Sequence, residues 1–81
     1  MRLRARVRVA TGNTRHIVNG ALAPVPAYVE IAPAGGAFYL LYFDANGRNT
    51  TDTWHETIDA AKAQAQFEFL LDDADWEPVD D

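Results

Sequence analysis

The chain contains no cysteine and no serine among its 81 residues. Without cysteine there is no disulfide, no thiolate metal site and no thiol nucleophile, and without serine the commonest hydroxyl nucleophile is missing as well. Lys62 is the one lysine, and there are two histidines, His16 and His55. No long hydrophobic run is present: the longest, residues 37–43, falls far short of the roughly 20 residues a membrane-spanning helix needs. At the N-terminus Arg2, Arg4, Arg6 and Arg8 interrupt every second apolar position, which leaves no apolar core for a secretory signal. These absences predict a cytoplasmic protein in a reducing compartment, with no membrane association. A chain this short buries only about 60–65 % of the surface its unfolded form exposes, so a thin core is expected.

The net charge of −5 hides a split. Residues 1–48 carry six arginines against Glu30 and Asp44, a surplus of +4, whereas residues 49–81 set Lys62 against ten carboxylates, −9. Such asymmetry either neutralises itself within one fold or marks an interaction surface.

Residues 2–10 alternate, with Leu3, Ala5, Val7 and Val9 against the four arginines, the period of a strand with one buried face. Turn residues follow at 11–14, a short return strand is expected at 15–18, and Asn19-Gly20 marks another turn. Pro24 and Pro26 keep the next segment extended. A second strand is predicted over 27–32, broken by Pro33 to Gly36. Residues 37–43, Ala-Phe-Tyr-Leu-Leu-Tyr-Phe, are apolar on both faces and read as a central strand. Asp44 to Arg48 is a hairpin turn, with the return strand over 49–54. Thr57 caps a helix over 58–71, ended by Asp72, Asp73 and Asp75 at its unfavourable negative end. The expected architecture is α+β: a small antiparallel β-meander of three to five strands with one C-terminal helix packed on one face. Residues 1–75 form the single domain and 76–81 a short acidic tail.

This arrangement leaves apolar surface over. On the helix, Ile58, Ala61, Ala65 and Phe69 form one stripe, and Ala60, Ala63, Phe67, Leu70 and Leu71 a second, roughly opposite. Either Trp76 folds back over the second stripe or that stripe meets a partner. The strand over 37–43 poses the same question, with Tyr39, Leu41 and Phe43 on one side and Phe38, Leu40 and Tyr42 on the other. Ala63, Phe67, Leu70, Tyr39, Leu41 and Phe43 are therefore the candidate partner-binding residues, with an unidentified protein or a second copy as occupant.

The arginines lie about 6.6–7 Å apart along one strand face, a spacing suited to phosphate or carboxylate recognition. Arg4, Arg6 and Arg8, with Tyr28 as a stacking ring, are the candidate anion-binding residues. Opposing this, the acidic protein repels nucleic acid at long range, and Glu30 or the tail acids can neutralise the row, which would then be a solvated strand face whose charge deters edge-to-edge aggregation. Asp52-Thr53-Trp54-His55-Glu56-Thr57 joins the last strand to the helix. Trp54 plugs this corner, and Asp52, His55 and Glu56 could in principle hold a divalent ion or move a proton, but only His16 offers a second imidazole. The carboxylates after residue 71 lack the spacing of a calcium loop. No catalytic, metal or cofactor residues are assigned, and the chain is expected not to be an enzyme.

Phe38-Tyr39-Leu40-Leu41, the turn from Asp44 to Gly47, Asp52-Thr53-Trp54-His55, and Ala61, Ala65 and Phe67-Glu68-Phe69 together resemble a group of short bacterial proteins without assigned function. The resemblance spans about residues 36–70 and implies a β-hairpin–helix module and no activity. The leading expectation is thus a small interaction or regulatory module, a homodimer being one form of it. The alternative is anion or nucleic-acid binding through Arg2, Arg4, Arg6 and Arg8, with nucleic acid disfavoured by net charge.

Overall fold

A computed structural model describes residues 2–79. Period-two alternation produces strand β1 (Arg2–Arg6), with Leu3 and Ala5 buried and Arg4 and Arg6 exposed. The strand ends earlier than the alternation because its partner does. Val7 N–H still donates to the Ala27 carbonyl at 3.0 Å, but Pro24 and Pro26 keep the preceding segment out of the sheet. Residues 8–10 therefore leave the sheet. The excursion contains a two-stranded ribbon, β2 (Ile17–Val18) and β3 (Ala21–Leu22), joined at Asn19-Gly20, both at positive φ.

The meander follows as β4 (Tyr28–Ala34), β5 (Ala37–Phe43) and β6 (Asn49–His55). Pro33 does not break β4; the reversal is at Gly35-Gly36, with φ of 57° and 85°, the two-residue turn that matches strand twist. Ala34 pairs with Ala37 beside that turn, so the position of Pro33, opposite Phe38, is one whose N–H would point away from β5. The missing donor interrupts no β4–β5 bond there.

Helix α1 (Ile58–Phe69) starts where Thr57 Oγ1 accepts the Ala60 N–H at 3.0 Å. It ends at Phe69, two residues before the expected point, because Leu70 turns left-handed at φ 56° and its N–H returns to the Gln66 carbonyl. The excursion supplies further caps: Thr11 N–H donates to the Glu68 carbonyl at 2.8 Å, and Thr11 Oγ1 and Asn13 Nδ2 donate to that of Phe67 at 2.8 and 3.0 Å.

After a 3-10 turn at Asp73–Asp75, residues 77–79 form β7 (Glu77–Val79). The C-terminal segment, read as an acidic tail over 76–81, thus joins the sheet as far as it is described; Asp80 and Asp81 lie outside the described residues. The sheet order is β6-β5-β4-β1-β7, all antiparallel. The arginine strand is consequently internal and not an edge, with Glu77 of β7 opposite Arg4 on one side and Glu30 of β4 opposite it on the other.

Helix α1 covers one sheet face. Leu3, Ala5, Val29, Ile31, Leu40 and Tyr42 meet Ala61, Ala65 and Phe69, with Leu71 and Trp76 closing the same core. Trp76, 8 % exposed, enters this core and does not cover the second helix stripe, so Phe67 and Leu70 stay exposed at 50 % and 58 %. Leu71, grouped with that stripe in the sequence, turns inward because the helix has already ended.

Candidate binding face and the buried carboxylate behind it

The other face of the sheet has no covering element among the described residues. Strand alternation sends Tyr39, Leu41 and Phe43 of β5 to this side, because Leu40 and Tyr42 face the helix. Register then fixes their neighbours. Trp54 lies opposite Tyr39, and Tyr39 opposite Ala32. In the next row Asp52, Leu41, Glu30, Arg4 and Glu77 follow one another from β6 to β7. In the third, Phe43, Tyr28 and Arg6 line up. Residues from three separate sequence motifs thus share one face, aromatic at its β5–β6 end and cationic at β1.

Glu30 is the most buried group on this face, at 4 % exposed. Two guanidiniums lie over it: Arg4 donates from Nε at 2.8 Å and from an Nη at 2.5 Å, and an Arg2 Nη sits 2.8 Å from the other carboxylate oxygen. The Glu30 hydrogen bond raises Arg4 above its ordinary value. The Arg4 guanidinium also covers the Tyr28 ring, 4.7 Å from its centroid, and Tyr28 stacks on Phe43 at 4.9 Å and 5°. Trp54 is 54 % exposed, a large ring held out on the sheet and not the corner plug the sequence suggested.

The remaining candidates lie elsewhere. Arg8 is past the end of β1, 3.7 Å from Asp75. Ala63, Phe67 and Leu70 occupy the outer side of the helix, on the opposite side of the molecule. The junction hexapeptide divides by strand parity: Asp52 and Trp54 face outward on the sheet, while His55 Nε2 lies 2.8 Å from Thr53 Oγ1 on the helix side. Burial lowers His55 below its ordinary value, against a smaller opposing pull from the Glu68 charge.

The sequence reading missed the buried carboxylate on that side. Glu68, 3 % exposed, accepts hydrogen bonds from the Tyr42 hydroxyl, Thr14 Oγ1, His16 Nε2 at 2.7 Å and Gln64 Nε2 at 3.0 Å. Burial alone would raise its carboxyl, but the four donors together hold it below the ordinary range. Burial, and then the bond to Glu68, push the Tyr42 phenol above its ordinary value. A signal was present: Glu68 falls on the same helix stripe as Ala61 and Ala65, where a carboxylate cannot sit without partners. What the sequence could not supply was the partners, 52 and 54 residues away in the case of His16 and Thr14.

Among the described residues no three His, Asp or Glu side chains gather as a metal site requires, and no helix is long and apolar enough to cross a membrane. Compared with known proteins, the chain matches no family model, no curated protein and no solved structure.

Proposed function

We propose that this chain is an interaction module, a binder and not an enzyme, which works through the open face of its sheet with a second copy of itself as the occupant. The observation that supports the reading most is the self-complementary layout of that face, aromatic and acidic at β6, cationic at β1. A two-fold axis parallel to the strands, midway between β4 and β5, would lay β6 over β1 and β5 over β4. Asp52 of one copy then meets Arg4 of the other, Trp54 lies towards Arg2, Tyr39 covers the small Ala32, and Phe43 meets Tyr28. Asp52 and Arg4 pair opposite charges and Tyr39 and Ala32 a large side chain with a small one, while the same axis sets Leu41 over the ion-paired Glu30 and Phe43 on the ring of Tyr28. Sheets stack in this way with their strands within about 30° of each other.

Area sets the strength. The four strands that overlap about this axis, about 4.8 Å apart and about six residues long, share a face of roughly 19 × 20 Å, near 380 Å² in projection. Two such faces bury about 760 Å², below the roughly 1,600 Å² of a standard interface, so a weak association in the micromolar-to-millimolar range is expected. Sedimentation velocity between about 10 µM and about 1 mM spans that range. Trp54→Ala with Asp52→Arg should leave a folded monomer, whereas Phe67→Gln with Leu70→Gln on the helix should not alter association. A wild-type chain that stays monomeric throughout, or one whose association is lost only in the helix variant, removes the proposal.

The anion-binding alternative has less behind it. A free phosphate at Arg2 and Arg4 competes with Glu30, which already holds both guanidiniums at hydrogen-bond distance, and has no other contact to keep it there. Asp52 of a second copy meets the same competition at Arg4 but is carried there by the contacts of Tyr39, Phe43 and Trp54. Arg6 is the arginine of the row with no ion pair among the described residues.

A further inference from the structure

The excursion between Val7 and Ala27 is attached mainly through polar groups. Thr11 and Asn13 cap the helix end, and Thr14 and His16 bind Glu68. Ile17, Leu22 and Val25 on the excursion remain exposed, although they are large and apolar. Between the ribbon and the end of α1 lies a cleft of about 340 Å³, within the range of small-ligand sites. Its apolar lining includes Leu22, Pro24, Val25 and Phe69, and its polar lining includes Thr14, Arg15, His16 and Glu68.

The polar lining determines which charge the cleft can hold. Glu68 is an acceptor already engaged by four donors, so it has little left to offer a cationic occupant. Because Glu68 is an acceptor, His16 must carry a proton on Nε2, and its Nδ1 is the ring nitrogen left over. Arg15 is exposed and makes no ion pair among the described residues. The Glu68 charge is buried and taken up by its four donors, so the charge the cleft presents to solvent is the Arg15 guanidinium, beside an apolar wall of Leu22, Pro24 and Val25.

We infer that this cleft is a binding site for a small amphipathic carboxylate, its apolar body against Leu22, Pro24, Val25 and Phe69 and its carboxylate at Arg15. The site is separate from the open sheet face, since it lies between the excursion and the helix end. The inference does not depend on self-association.

Sodium octanoate is a suitable probe, with octanol and octylammonium as the uncharged and oppositely charged controls. Titrated into the uniformly ¹⁵N-labelled chain, octanoate should shift the amides of residues 14–16, 22–25 and 69, saturating at about 1 mM or below, as expected for about ten non-hydrogen atoms. Octanol and octylammonium should bind more weakly. Arg15→Gln should weaken octanoate about fivefold and bring it level with octanol, the effect of one exposed charge. Leu22→Asp should abolish saturation while leaving the sheet amides in place, because Leu22 is exposed. The inference is overturned if octanoate produces no saturable shifts up to about 10 mM. It is equally overturned if the three probes bind alike, or if the shifts gather around Tyr39 and Trp54 instead.

Discussion

Replacing Tyr42 by phenylalanine removes one hydroxyl and almost nothing else. Tyr42 is 1 % exposed and meets Phe69 edge-on at 5.9 Å, and phenylalanine keeps both the volume and that contact. No cavity opens. What disappears is the hydrogen bond from the phenol to Glu68, together with a marginal contact to Thr53 at 3.4 Å. A hydrogen bond to a charged group contributes about 1.5–3 kcal/mol. Glu68 keeps Thr14, His16 and Gln64, so the carboxylate is not orphaned and the lower part of that range applies, about 1.5–2 kcal/mol. For a domain of this size each kcal/mol moves Tm by about 4–8 °C, which gives a fall of roughly 6–16 °C. Urea unfolding followed by tryptophan fluorescence, with Trp76 as the buried reporter, should show an earlier midpoint and an unchanged slope. A double-mutant cycle with Glu68→Gln isolates the pair and should give a coupling of about 1 kcal/mol or more. A loss below about 0.5 kcal/mol with no coupling would mean that Glu68 does not depend on the phenol, and the account of this carboxylate as a buried charge held by four donors would fail.

Three further outcomes follow from the same structure. Glu68 in the fold sits below its ordinary carboxyl value, so its contribution is complete above the unfolded value of about 4.3 and is lost as pH falls through the folded one; acid titration should loosen residues 11–16 before the sheet, seen as early amide exchange there. His55 in the fold sits below its ordinary value, so stability should already decline as pH drops below about 6.5, and His55→Gln should remove that upper phase in a pH series of urea midpoints. Trp76→Ala should cost about 3–5 kcal/mol, the range for a buried ring, whereas Trp54→Ala on the open face should cost less than about 1 kcal/mol; equal losses would contradict the placement of the two rings.

The sequence carried the local parts of the fold. Alternation placed Leu3 and Ala5 inward and the arginines outward, Gly47 marked one hairpin, and Thr57 marked the helix start, because each depends on neighbours within a few residues. Element ends were less legible. β1 stops at Arg6 because β4 offers no partner beyond Tyr28, and α1 stops at Phe69 because Thr11 and Asn13 arrive to cap it; both are long-range facts. β7 was hidden for a similar reason, since three residues with a proline become a strand only beside an available edge, and Glu77 opposite Arg4 suits that place. The open face was legible in part. Tyr39, Leu41 and Phe43 were grouped by parity, but their meeting with Trp54, Asp52 and the arginines required the register. Glu68, Thr14 and His16 could not be joined from local pattern, because a buried carboxylate has no sequence signature until its donors are known.

The self-complementary sheet face is tested most directly by the concentration dependence of the sedimentation coefficient. The wild-type chain should move from monomer towards dimer between about 10 µM and about 1 mM, and the Trp54→Ala, Asp52→Arg chain should remain monomeric at every concentration while still unfolding in one cooperative transition. A single monomer boundary for the wild type at about 1 mM would contradict the account.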